Sequence, residues 1–409
     1  MMKCRHCQAP VTLQFIDLET SPPSNSYVTA AALRAPEKWY PLRVYVCTSC
    51  WLVQTEDYAH FSEMFSSDYA YFSSFSTSWL KHADDYVATM AQRFDLGANS
   101  HVIEVASNDG YLLQYVKQRG IPCLGIEPTA STAAAAREKG IEVLEEFFGL
   151  ALAEKLVAKG LSADLTAANN VLAHVPDIND FVAGFARVLK ADGVSTFEFP
   201  HLMRLVEQCQ FDTIYHEHFS YLSLTAVNTI FARNGLQVFD VQVLPTHGGS
   251  LRVFAQRADT GRRARTETLE ALLERERGAG VASSGYYAGF QERANTIKDD
   301  LLTFLIQAKR GGKRVGAYGA AAKGNTLLNY AGVRSNLLPW VVDRNPAKQG
   351  KYLPGCRIPI VDEARLREER PDFVLVLPWN LRTEVTAQLS YIRHWGGKFV
   401  TAIPHLEVS

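Results

Sequence analysis

Residues 101–128, HVIEVASNDGYLLQYVKQRGIPCLGIEP, carry in turn the patterns of a strand, a turn, a helix and a second strand. Residues 101–105 form a short β-branched run typical of a buried strand, and residues 106–110 are small or turn-forming. Residues 111–119 can form a helix, which the following Gly-Ile-Pro would end. Residues 124–126 are the second strand. The stretch therefore predicts half of a doubly wound α/β fold, whose ligands lie beyond the carboxyl ends of the strands.

The turn of this unit does not match a dinucleotide fingerprint. A pyrophosphate needs a glycine-rich loop whose backbone N–H groups can approach it, whereas this turn has only Gly110 and carries the anionic Asp109. A cofactor with a sulfonium charge and no phosphate suits it better, which favours S-adenosylmethionine (SAM). Glu127 stands where an acidic side chain meets ribose hydroxyls, and Asn169 follows another strand-like run. A nicotinamide or nucleotide site, and an α/β core without a cofactor, are the alternatives.

Composition sets outer limits on the kind of protein. The chain has 409 residues, 47% apolar and 21% charged, which is ordinary for a globular protein of two or three domains. A net charge of −1 argues against nucleic acid as a partner. No apolar run reaches the roughly 18 residues of a membrane span, and the first residues lack an apolar signal core. We expect a cytoplasmic, monomeric protein with no membrane partner.

Two C-x-x-C pairs lie in the first block, which we place at residues 1–60. They are formed by Cys4 with Cys7 and by Cys47 with Cys50, four of the seven cysteines. This pattern is typical of tetrahedral thiolate zinc, and four sulfur ligands leave no open position. We therefore predict a structural zinc ion, with redox chemistry or chance spacing as the alternative.

The rest of the chain divides into two α/β blocks. Residues 61–255 alternate strands and helices around the opening motif, and residues 61–95 are predicted to be largely helical and to cover the cofactor. Residues 256–409 begin with a charged stretch, 256–284, that resembles a solvated linker helix. A long helix and a second strand–loop–helix unit follow. The predicted fold class is α/β, with a zinc-binding domain followed by two Rossmann-like domains.

The segment FDTIYHEHFSY places Tyr215, His216, Glu217 and His218 together. Histidine and glutamate can transfer protons near neutral pH, which indicates general acid–base catalysis. Metal binding by the two histidines is a second hypothesis, although no third ligand is evident. A loop whose polar residues are satisfied internally is the third.

Two further segments are candidates for ligand contacts in the middle block. His174 follows a predicted strand and faces the expected cofactor edge, although a single histidine is more often structural. The turn THGGSLR contains two glycines that allow a close backbone approach. Its His247, Ser250 and Arg252 would bind polar or anionic groups, or the segment is a simple β-hairpin turn.

The last block contains a better phosphate loop, GAAAKGN at 319–325. It lies between a predicted strand and a helix N-terminus, where backbone N–H groups and the helix dipole favour an anion. Lys323 adds a point charge. A glycine loop of this kind is weak evidence by itself, so a turn without a ligand is the alternative.

Several motifs in order resemble the three-domain sugar C-methyltransferases of deoxysugar biosynthesis, such as the ring carbon 3 enzymes of the kijanose and tetronitrose pathways. The resemblance covers essentially the whole chain. The motifs are the two cysteine pairs, Pro23-Ser-Asn25, Glu104-Val-Ala-Ser-Asn-Asp-Gly110, Gly125-Ile-Glu-Pro128, Tyr215-His-Glu-His218, Thr246-His-Gly-Gly-Ser250 and Gly319-Ala-Ala-Ala-Lys-Gly324.

The resemblance implies a SAM-dependent enzyme that methylates ring carbon 3 of an NDP-4-keto-deoxysugar, usually dTDP-linked, through an enolate. It implies that His218 is the base and that Tyr215 and Glu217 position it or stabilise the enolate oxygen. It also places Tyr69 and His174 in the same pocket, and zinc remote from the reaction.

The remaining candidate residues are assigned from motif position and resemblance together. Those expected to contact SAM are Lys81, Glu104, Ser107, Asn108, Gly110, Tyr111, Leu112, Glu127, Pro128 and Asn169. Those expected to contact the nucleotide sugar are Asn25, His247, Ser250, Arg252, Tyr318, Gly319, Lys323 and Asn325.

Three rival functions stay open from the sequence. The first is an O- or N-methyltransferase acting on a nucleotide sugar with the same SAM unit. The second is a non-catalytic protein that binds nucleotide sugars or nucleic acid. The third is a nicotinamide enzyme that uses the last block.

Overall fold

The computed structural model describes residues 2–58 and 72–409. The strands of these residues are β1 Leu13–Ser21, β2 Tyr40–Val46, β3 Val53–Thr55, β4 Val102–Val105, β5 Cys123–Ile126, β6 Val143–Leu144, β7 Ala163–Asn169, β8 Leu189–Pro200, β9 Ser220–Tyr221, β10 Leu236–Leu244, β11 Ser250–Arg257, β12 Val315–Tyr318, β13 Val341–Val342, β14 Ile360–Val361, β15 Phe373–Val376, β16 Lys398–Thr401 and β17 Glu407–Val408. The α-helices are α1 Thr77–Arg93, α2 Leu113–Gln118, α3 Ala130–Glu138, α4 Leu150–Ala158, α5 Ile178–Val188, α6 Leu202–Glu207, α7 Leu224–Arg233, α8 Glu267–Ala279, α9 Phe290–Arg310, α10 Ala322–Tyr330, α11 Ala364–Glu369 and α12 Arg382–Gln388. Short 3₁₀ helices span Ala31–Arg34, Ser73–Phe75, Leu172–His174, Phe211–Thr213, Thr246–Gly248, Ser284–Tyr287, Trp379–Leu381 and Ser390–Trp395.

The first sheet has the order β1-β2-β3-β9 and is antiparallel throughout. In β2, Leu42, Val44 and Val46 are buried, and this period of two gives the strand one core face. The fourth strand, β9, is formed by the last two residues of the segment FDTIYHEHFSY. The N-terminal domain and that segment therefore share one sheet.

The second sheet has the order β10-β11-β8-β7-β4-β5-β6. The strands from β8 to β6 run parallel, while β11 and β10 run antiparallel at the other edge. Strands β4 and β7 are neighbours, so their carboxyl ends open at the same edge as that of β5. This edge is where a doubly wound sheet binds its ligand.

The third sheet has the order β14-β13-β12-β15-β16-β17, parallel except for its last strand. It confirms the predicted second Rossmann-like unit. Helix α9 buries Phe290, Ala294, Ile297, Leu301 and Leu305, which lie on one face at helical spacing. The Phe290 ring stacks on Phe15 of β1 with centroids 4.3 Å apart, which joins the outer domains. Among the described helices, none is long and apolar enough to cross a bilayer.

Several predicted elements have different limits in the structure. Of the stretch 61–95 that was predicted to be helical, residues 61–71 lie outside the described residues. Helix α1 begins at Thr77, where the Ser76 hydroxyl caps it by accepting the Trp79 N–H (3.2 Å). The linker helix is shorter than predicted and spans α8 alone, where Leu269 and Glu276 are buried rather than solvated. The predicted domain boundary at residue 255 falls inside β11. The boundary at residue 60 lies outside the described residues.

Candidate active site

The turn after β4 is built from left-handed backbone conformations. Ala106, Asn108 and Gly110 have φ values of 58°, 50° and 74°. A Cβ atom on Gly110 would collide with the Ile141 side chain, so this position needs glycine on both conformational and steric grounds. The tight turn delays the helix, and α2 begins at Leu113 rather than at the predicted residue 111.

Glu127 lies directly beside this turn, at the carboxyl end of β5. Its Oε2 accepts the Asn108 N–H (3.0 Å), and its Oε1 accepts the Thr129 N–H (2.9 Å). Pro128 lies between Glu127 and Thr129 in the sequence, inside the short turn that the second bond closes. The two bonds fix the carboxylate in place while each oxygen keeps a lone pair, which is the arrangement needed to hold ribose hydroxyls.

Buried polar atoms without partners surround the turn. Ser107 Oγ, Asp109 Oδ1 and Asn169 Oδ1 have no hydrogen-bond partner within the described residues. The Asn169 amide only approaches the Tyr111 hydroxyl, at 3.5 Å. Burial also raises the pKa of Glu104 well above its usual range. Since buried polar groups are normally paired, these residues fit a polar ligand such as the adenosyl and amino acid parts of SAM.

Two predicted SAM contacts are placed differently from the rest. The Lys81 side chain is 75% exposed and pairs with Asp85 (2.8 Å), so the structure does not bring it to the turn. Leu112 is buried in the apolar core and offers no side-chain hydrogen bond. The predicted pocket residue Tyr69 lies outside the described residues.

The predicted catalytic pair is in direct contact. The His218 Nδ1–H donates to the Thr213 carbonyl oxygen (2.9 Å), which leaves Nε2 as the acceptor for the Tyr215 hydroxyl (2.8 Å). Burial lowers the pKa of His218 well below its usual range, and the nearby His174 lowers it further. The ring is therefore neutral, with its basic nitrogen fixed as Nε2.

Glu217 and His174 complete this cluster. Burial raises the pKa of Glu217 to about 7, although its Oε2 accepts the Asn25 amide N–H (3.0 Å). The His174 and His218 rings meet edge to face with centroids 4.6 Å apart. Burial lowers the pKa of His174 to about 4. The structure thus gathers Asn25, His174, Tyr215, Glu217 and His218 in one place.

His216 belongs to a different environment. Its Nε2 lies 3.2 Å from the Pro41 carbonyl oxygen, and its ring meets Tyr40 with centroids 5.9 Å apart. His218 Nε2 meets Tyr215 instead. The two histidines are not turned toward one ion, which removes the support for a metal site in this segment.

The turn after β10 contains two predicted substrate contacts, His247 and Ser250, which have different environments. The His247 Nε2 lies 3.2 Å from the Asn170 amide, and its ring meets Trp79 with centroids 5.3 Å apart. Ser250 donates its hydroxyl to the Thr246 carbonyl oxygen (2.9 Å). Among the predicted substrate contacts here, His247 borders the turn after β4, because Trp79 packs on both His247 and Tyr111. The Ser250 hydroxyl instead stabilises the turn after β10.

Arg252 is enclosed in a buried ionic cluster that the sequence did not reveal. Its guanidinium pairs with Glu198 (2.9 Å), whose carboxylate also meets His82 (2.9 Å) and the Thr246 hydroxyl (3.0 Å). Arg252 also stacks over the Tyr86 ring at 4.7 Å. The cluster ties α1 to β8 and to the His247 turn, so Arg252 is a supporting residue here.

The C-terminal domain presents Lys323 toward the same region. The ammonium donates to Asn380 Oδ1 (2.7 Å) and lies 4.9 Å from the centre of the Trp379 ring. The Trp379 indole N–H donates to Asp212 Oδ2 (2.8 Å). Burial raises the pKa of Asp212 to about 6, while the Lys323 charge lowers it. Sequence reasoning missed both Asp212, which lies in the segment FDTIYHEHFSY, and Trp379, because only the fold brings the two residues together.

The rest of the predicted phosphate loop is largely occupied by protein groups. The Ala320 N–H donates to Asp343 Oδ2 (2.8 Å), and the Ala320 carbonyl accepts from both Tyr27 (2.7 Å) and Lys348 (2.9 Å). Gly319, with φ of 93°, has no room for a Cβ beside Pro378. The amides of the first turn of α10 have no partner within the helix, and no side chain caps its N-terminus.

Two other candidates of this loop point into the protein interior. The Tyr318 hydroxyl accepts from Gln388 (2.9 Å) inside a hydrophobic cluster. Asn325 is fully buried, and its Oδ1 lies 3.8 Å from the Cys356 sulfur. Both residues support the domain rather than line an open surface.

The four N-terminal cysteines form one cluster. All four sulfur atoms lie within 4.8 Å of one another, with Cys4 to Cys50 and Cys7 to Cys47 each at 3.5 Å. No disulfide joins them. Four thiols in such a group fit a tetrahedral zinc ion with no open position.

The first cysteine knuckle contacts the catalytic segment. Arg5 donates to the carbonyl oxygens of Thr55 (3.0 Å) and Pro176 (3.1 Å) and lies over the Phe219 ring at 5.2 Å. The Thr55 hydroxyl donates to the His218 carbonyl oxygen (3.1 Å). Zinc is predicted to be remote from the reaction, but the domain that would hold it contacts the catalytic segment through Arg5 and Thr55.

Comparisons with known proteins agree with this arrangement. Family models match a putative zinc binding domain over residues 4–65, a methyltransferase domain over 79–241 and a C-methyltransferase C-terminal domain over 245–404. The C-methyltransferase NovU of Streptomyces niveus is 32% identical over 406 residues, which cover 99% of this chain and 96% of NovU.

Two of the solved structures that match cover less than half of this chain. Magnesium protoporphyrin IX methyltransferase from Synechocystis PCC 6803, with bound SAM, covers 44% of this chain and 79% of its own at 16% identity and a TM-score of 0.34. A putative methyltransferase from Bacillus halodurans C-125 covers 42% and 98% at 14% identity and a TM-score of 0.33. Scores this low add nothing to the assignment, which rests on the family models and NovU. The chain belongs to the C-methyltransferase family and is a SAM-dependent methyltransferase with an N-terminal zinc-binding domain.

Proposed function

We propose that this enzyme transfers a methyl group to ring carbon 3 of an NDP-4-keto-deoxysugar, with dTDP as the expected nucleotide. The observation that carries the proposal is the neutral His218, whose Nε2 is an acceptor inside a buried cluster. Methylation of carbon requires removal of a proton from that carbon, which transfer to oxygen or nitrogen does not. A buried imidazole with a fixed acceptor nitrogen is suited to this task.

The acidity of the substrate makes the reaction possible for such a base. A C–H bond next to a ketone is acidic because the electron pair left behind is delocalised onto the carbonyl oxygen. His218 Nε2 takes the proton, and the electrons of the C–H bond form the enolate. When bound, SAM supplies an electrophilic methyl group for that carbon.

Tyr215 and Glu217 stabilise the negative charge that develops on the enolate oxygen. The Tyr215 hydroxyl holds Nε2 in the free enzyme, and it turns to the enolate oxygen when the substrate replaces it. Glu217 has a pKa of about 7, so its protonated form is well populated at neutral pH and can also donate a hydrogen bond. Donors aimed at a developing oxyanion are among the largest contributions to catalysis.

The SAM site lies at the carboxyl edge of β4, β5 and β7. Glu127 would hold the ribose hydroxyls, and Ser107, Asp109 and Asn169 offer buried polar atoms for the rest of the cofactor. The nucleotide sugar would enter between this edge and the C-terminal domain. Lys323 and the first-turn amides of α10 then provide positive charge for its diphosphate.

The proposal is tested by mass spectrometry of reactions that contain SAM and NDP-4-keto-deoxysugars deuterated at ring carbon 3. We expect the product to gain one methyl group and to lose the deuterium. A methyl group gained with the deuterium retained would contradict methylation at that carbon and favour a heteroatom or another ring position. Tight SAM binding with no product from any sugar would contradict the substrate class.

A further inference from the structure

One side chain of the C-terminal domain contacts two loops of the middle domain. The Trp379 indole N–H donates to Asp212 Oδ2 (2.8 Å), and its ring packs on Gly248, where a Cβ would collide with it. The two loops are joined to each other by Gln210, whose Nε2 donates to the Gly248 carbonyl oxygen (2.9 Å). Trp379 therefore closes a three-way contact between Asp212, Gln210 and Gly248.

This contact leads directly to His218. Asp212 lies in the 3₁₀ turn Phe211–Thr213, and the Thr213 carbonyl oxygen accepts the His218 Nδ1–H (2.9 Å). A displacement of Asp212 moves the adjacent carbonyl group. That carbonyl decides which ring nitrogen of His218 carries the proton and which one is the acceptor.

The Trp379 bond also matters because of where Asp212 lies. Asp212 is fully buried, and its Oδ1 has no hydrogen-bond partner within the described residues. The Asp212 carboxylate interacts with the backbone N–H groups of Asp212 and Thr213, with Trp379 as its side-chain donor and with the Lys323 ammonium as the nearby opposite charge. A buried carboxylate that loses a donor is strongly destabilised in its position.

We propose that Trp379 is a positioning residue, which acts through Asp212 and Thr213 to hold the His218 ring in its reactive tautomer and orientation. The inference rests on the proposed role of His218 as the base. It gives the C-terminal domain a part in the chemical step in addition to substrate binding. The catalytic base is then correctly set only when this domain is docked.

The test compares Trp379→Phe with a matched control, Trp395→Phe. Trp395 belongs to the same domain and also donates its indole N–H, but to the Pro371 carbonyl oxygen (3.0 Å) away from the site. We expect Trp379→Phe to lower kcat about tenfold, the scale of one hydrogen bond to a charged group, with KM for both substrates within about twofold. We expect Trp395→Phe to match the wild type in both constants.

A second readout does not depend on turnover. Histidine-selective ¹⁵N NMR reports which ring nitrogen carries the proton, and His218→Asn identifies the His218 signal. We expect a single Nδ1–H form of His218 in the wild type and in Trp395→Phe. In Trp379→Phe we expect a shifted or averaged signal, while an unchanged signal together with unchanged kcat would overturn the proposal.

Substitutions of Asp212 probe the same bond from the other side. Asp212→Asn keeps an acceptor oxygen for the indole and should preserve the His218 signal, whereas Asp212→Leu should reproduce Trp379→Phe. If Trp379→Phe does not fold, the Asn and Leu pair decides, and equal His218 signals in both would overturn the proposal. Loss of the wild-type signal in Trp379→Phe without any sugar methylation by the wild type would contradict the proposed function but leave the positioning role intact.

Discussion

The zinc-binding domain and the C-terminal domain reach the same catalytic segment from two sides and by different chemistry. The zinc domain does so mainly through backbone: β3 pairs with β9, and the Thr55 N–H donates to the Phe219 carbonyl oxygen (3.2 Å). Side chains of the zinc domain, among them Arg5 and Asn25, add to this pairing. The C-terminal domain does so through side chains: Trp379 donates to Asp212, Thr326 donates to the Ile214 carbonyl oxygen (2.9 Å), and the Lys323 charge lies near Asp212. One contact is continuous sheet and the other is a docking surface.

The difference decides how each contact can be lost. Backbone hydrogen bonds between strands persist through most side-chain substitutions, so the zinc domain releases the segment only when it unfolds. A docking contact made by two or three side chains can be removed by one substitution while both domains stay folded. We therefore expect all-or-none effects on the zinc side and graded effects on the C-terminal side.

The largest expected effect comes from removing zinc. Cys4→Ser with Cys47→Ser should abolish metal binding, because two of the four thiolate ligands are removed. The domain should then unfold, since structural zinc contributes on the order of 10 kcal/mol to the folding of small domains. β9 then loses its partner strand, and we expect activity to fall below detection. We also expect the melting transition of this domain to disappear. Metal analysis, calorimetry and turnover measure the three quantities, with Cys123→Ser, outside the cluster, as the control. A zinc-free variant with full turnover would contradict the expected all-or-none effect on the zinc side.

His218 itself sets the scale for every other variant. His218→Asn should lower turnover about 100-fold or more, as expected for loss of a general base, and leave the dissociation constant of SAM unchanged. Turnover assays and calorimetric titration with SAM provide the two values. The exposed His405 offers the control His405→Asn, which should behave like the wild type. Full activity in His218→Asn would remove His218 from the mechanism.

On the C-terminal side, Lys323→Met should give a graded effect. Loss of one charge-assisted bond to the diphosphate should raise KM for the nucleotide sugar about tenfold, while SAM affinity stays the same. Steady-state kinetics with each substrate varied in turn separates these effects. Lys313→Met is the control, because Lys313 pairs with Asp372 at the opposite end of β12. An equal KM in both variants would remove Lys323 from substrate binding.

The smallest expected effect is that of Asn25→Ala, which removes the hydrogen bond from the zinc domain to the Glu217 carboxylate. Asn25 lowers the pKa of Glu217, so its loss should raise that pKa further above about 7 and leave less Glu217 ionised at neutral pH. We expect a change in kcat/KM of about threefold at pH 7, and the limb of the pH profile that reports Glu217 should move to higher pH. Thr29→Ala, an exposed residue four positions further along the chain, is the control. A limb that stays in place would separate Asn25 from Glu217.

Local sequence patterns predicted the parts of the site that lie within one motif. The turn after β4, Glu127, the four cysteines and the Tyr215–His218 segment are each set by short-range spacing, and the structure places each group together as expected. The confirmed fold class follows from the same patterns, because alternation of strands and helices is a local property.

The parts that the sequence did not predict depend on contacts between distant segments. The sequence suggested that Arg252 binds an anion, but the structure pairs it with Glu198 at 2.9 Å. Asn325 was predicted to contact the substrate, but its position in α10 is fully buried. Asp212 and Trp379 are ordinary loop residues until two domains meet. Burial and pairing of charges are set by the tertiary fold, so single-sequence reasoning has no signal for them.

The sharing of β9 also bears on how the chain is made. The zinc-binding sheet gains its last strand only from Ser220–Tyr221, which leaves the ribosome long after β1, β2 and β3. Until then β3 is an open sheet edge, the kind of surface that pairs with other chains. Zinc bound early by the cysteines would hold the three strands in register during synthesis. Metal supply at the moment of translation would therefore set the yield of soluble enzyme.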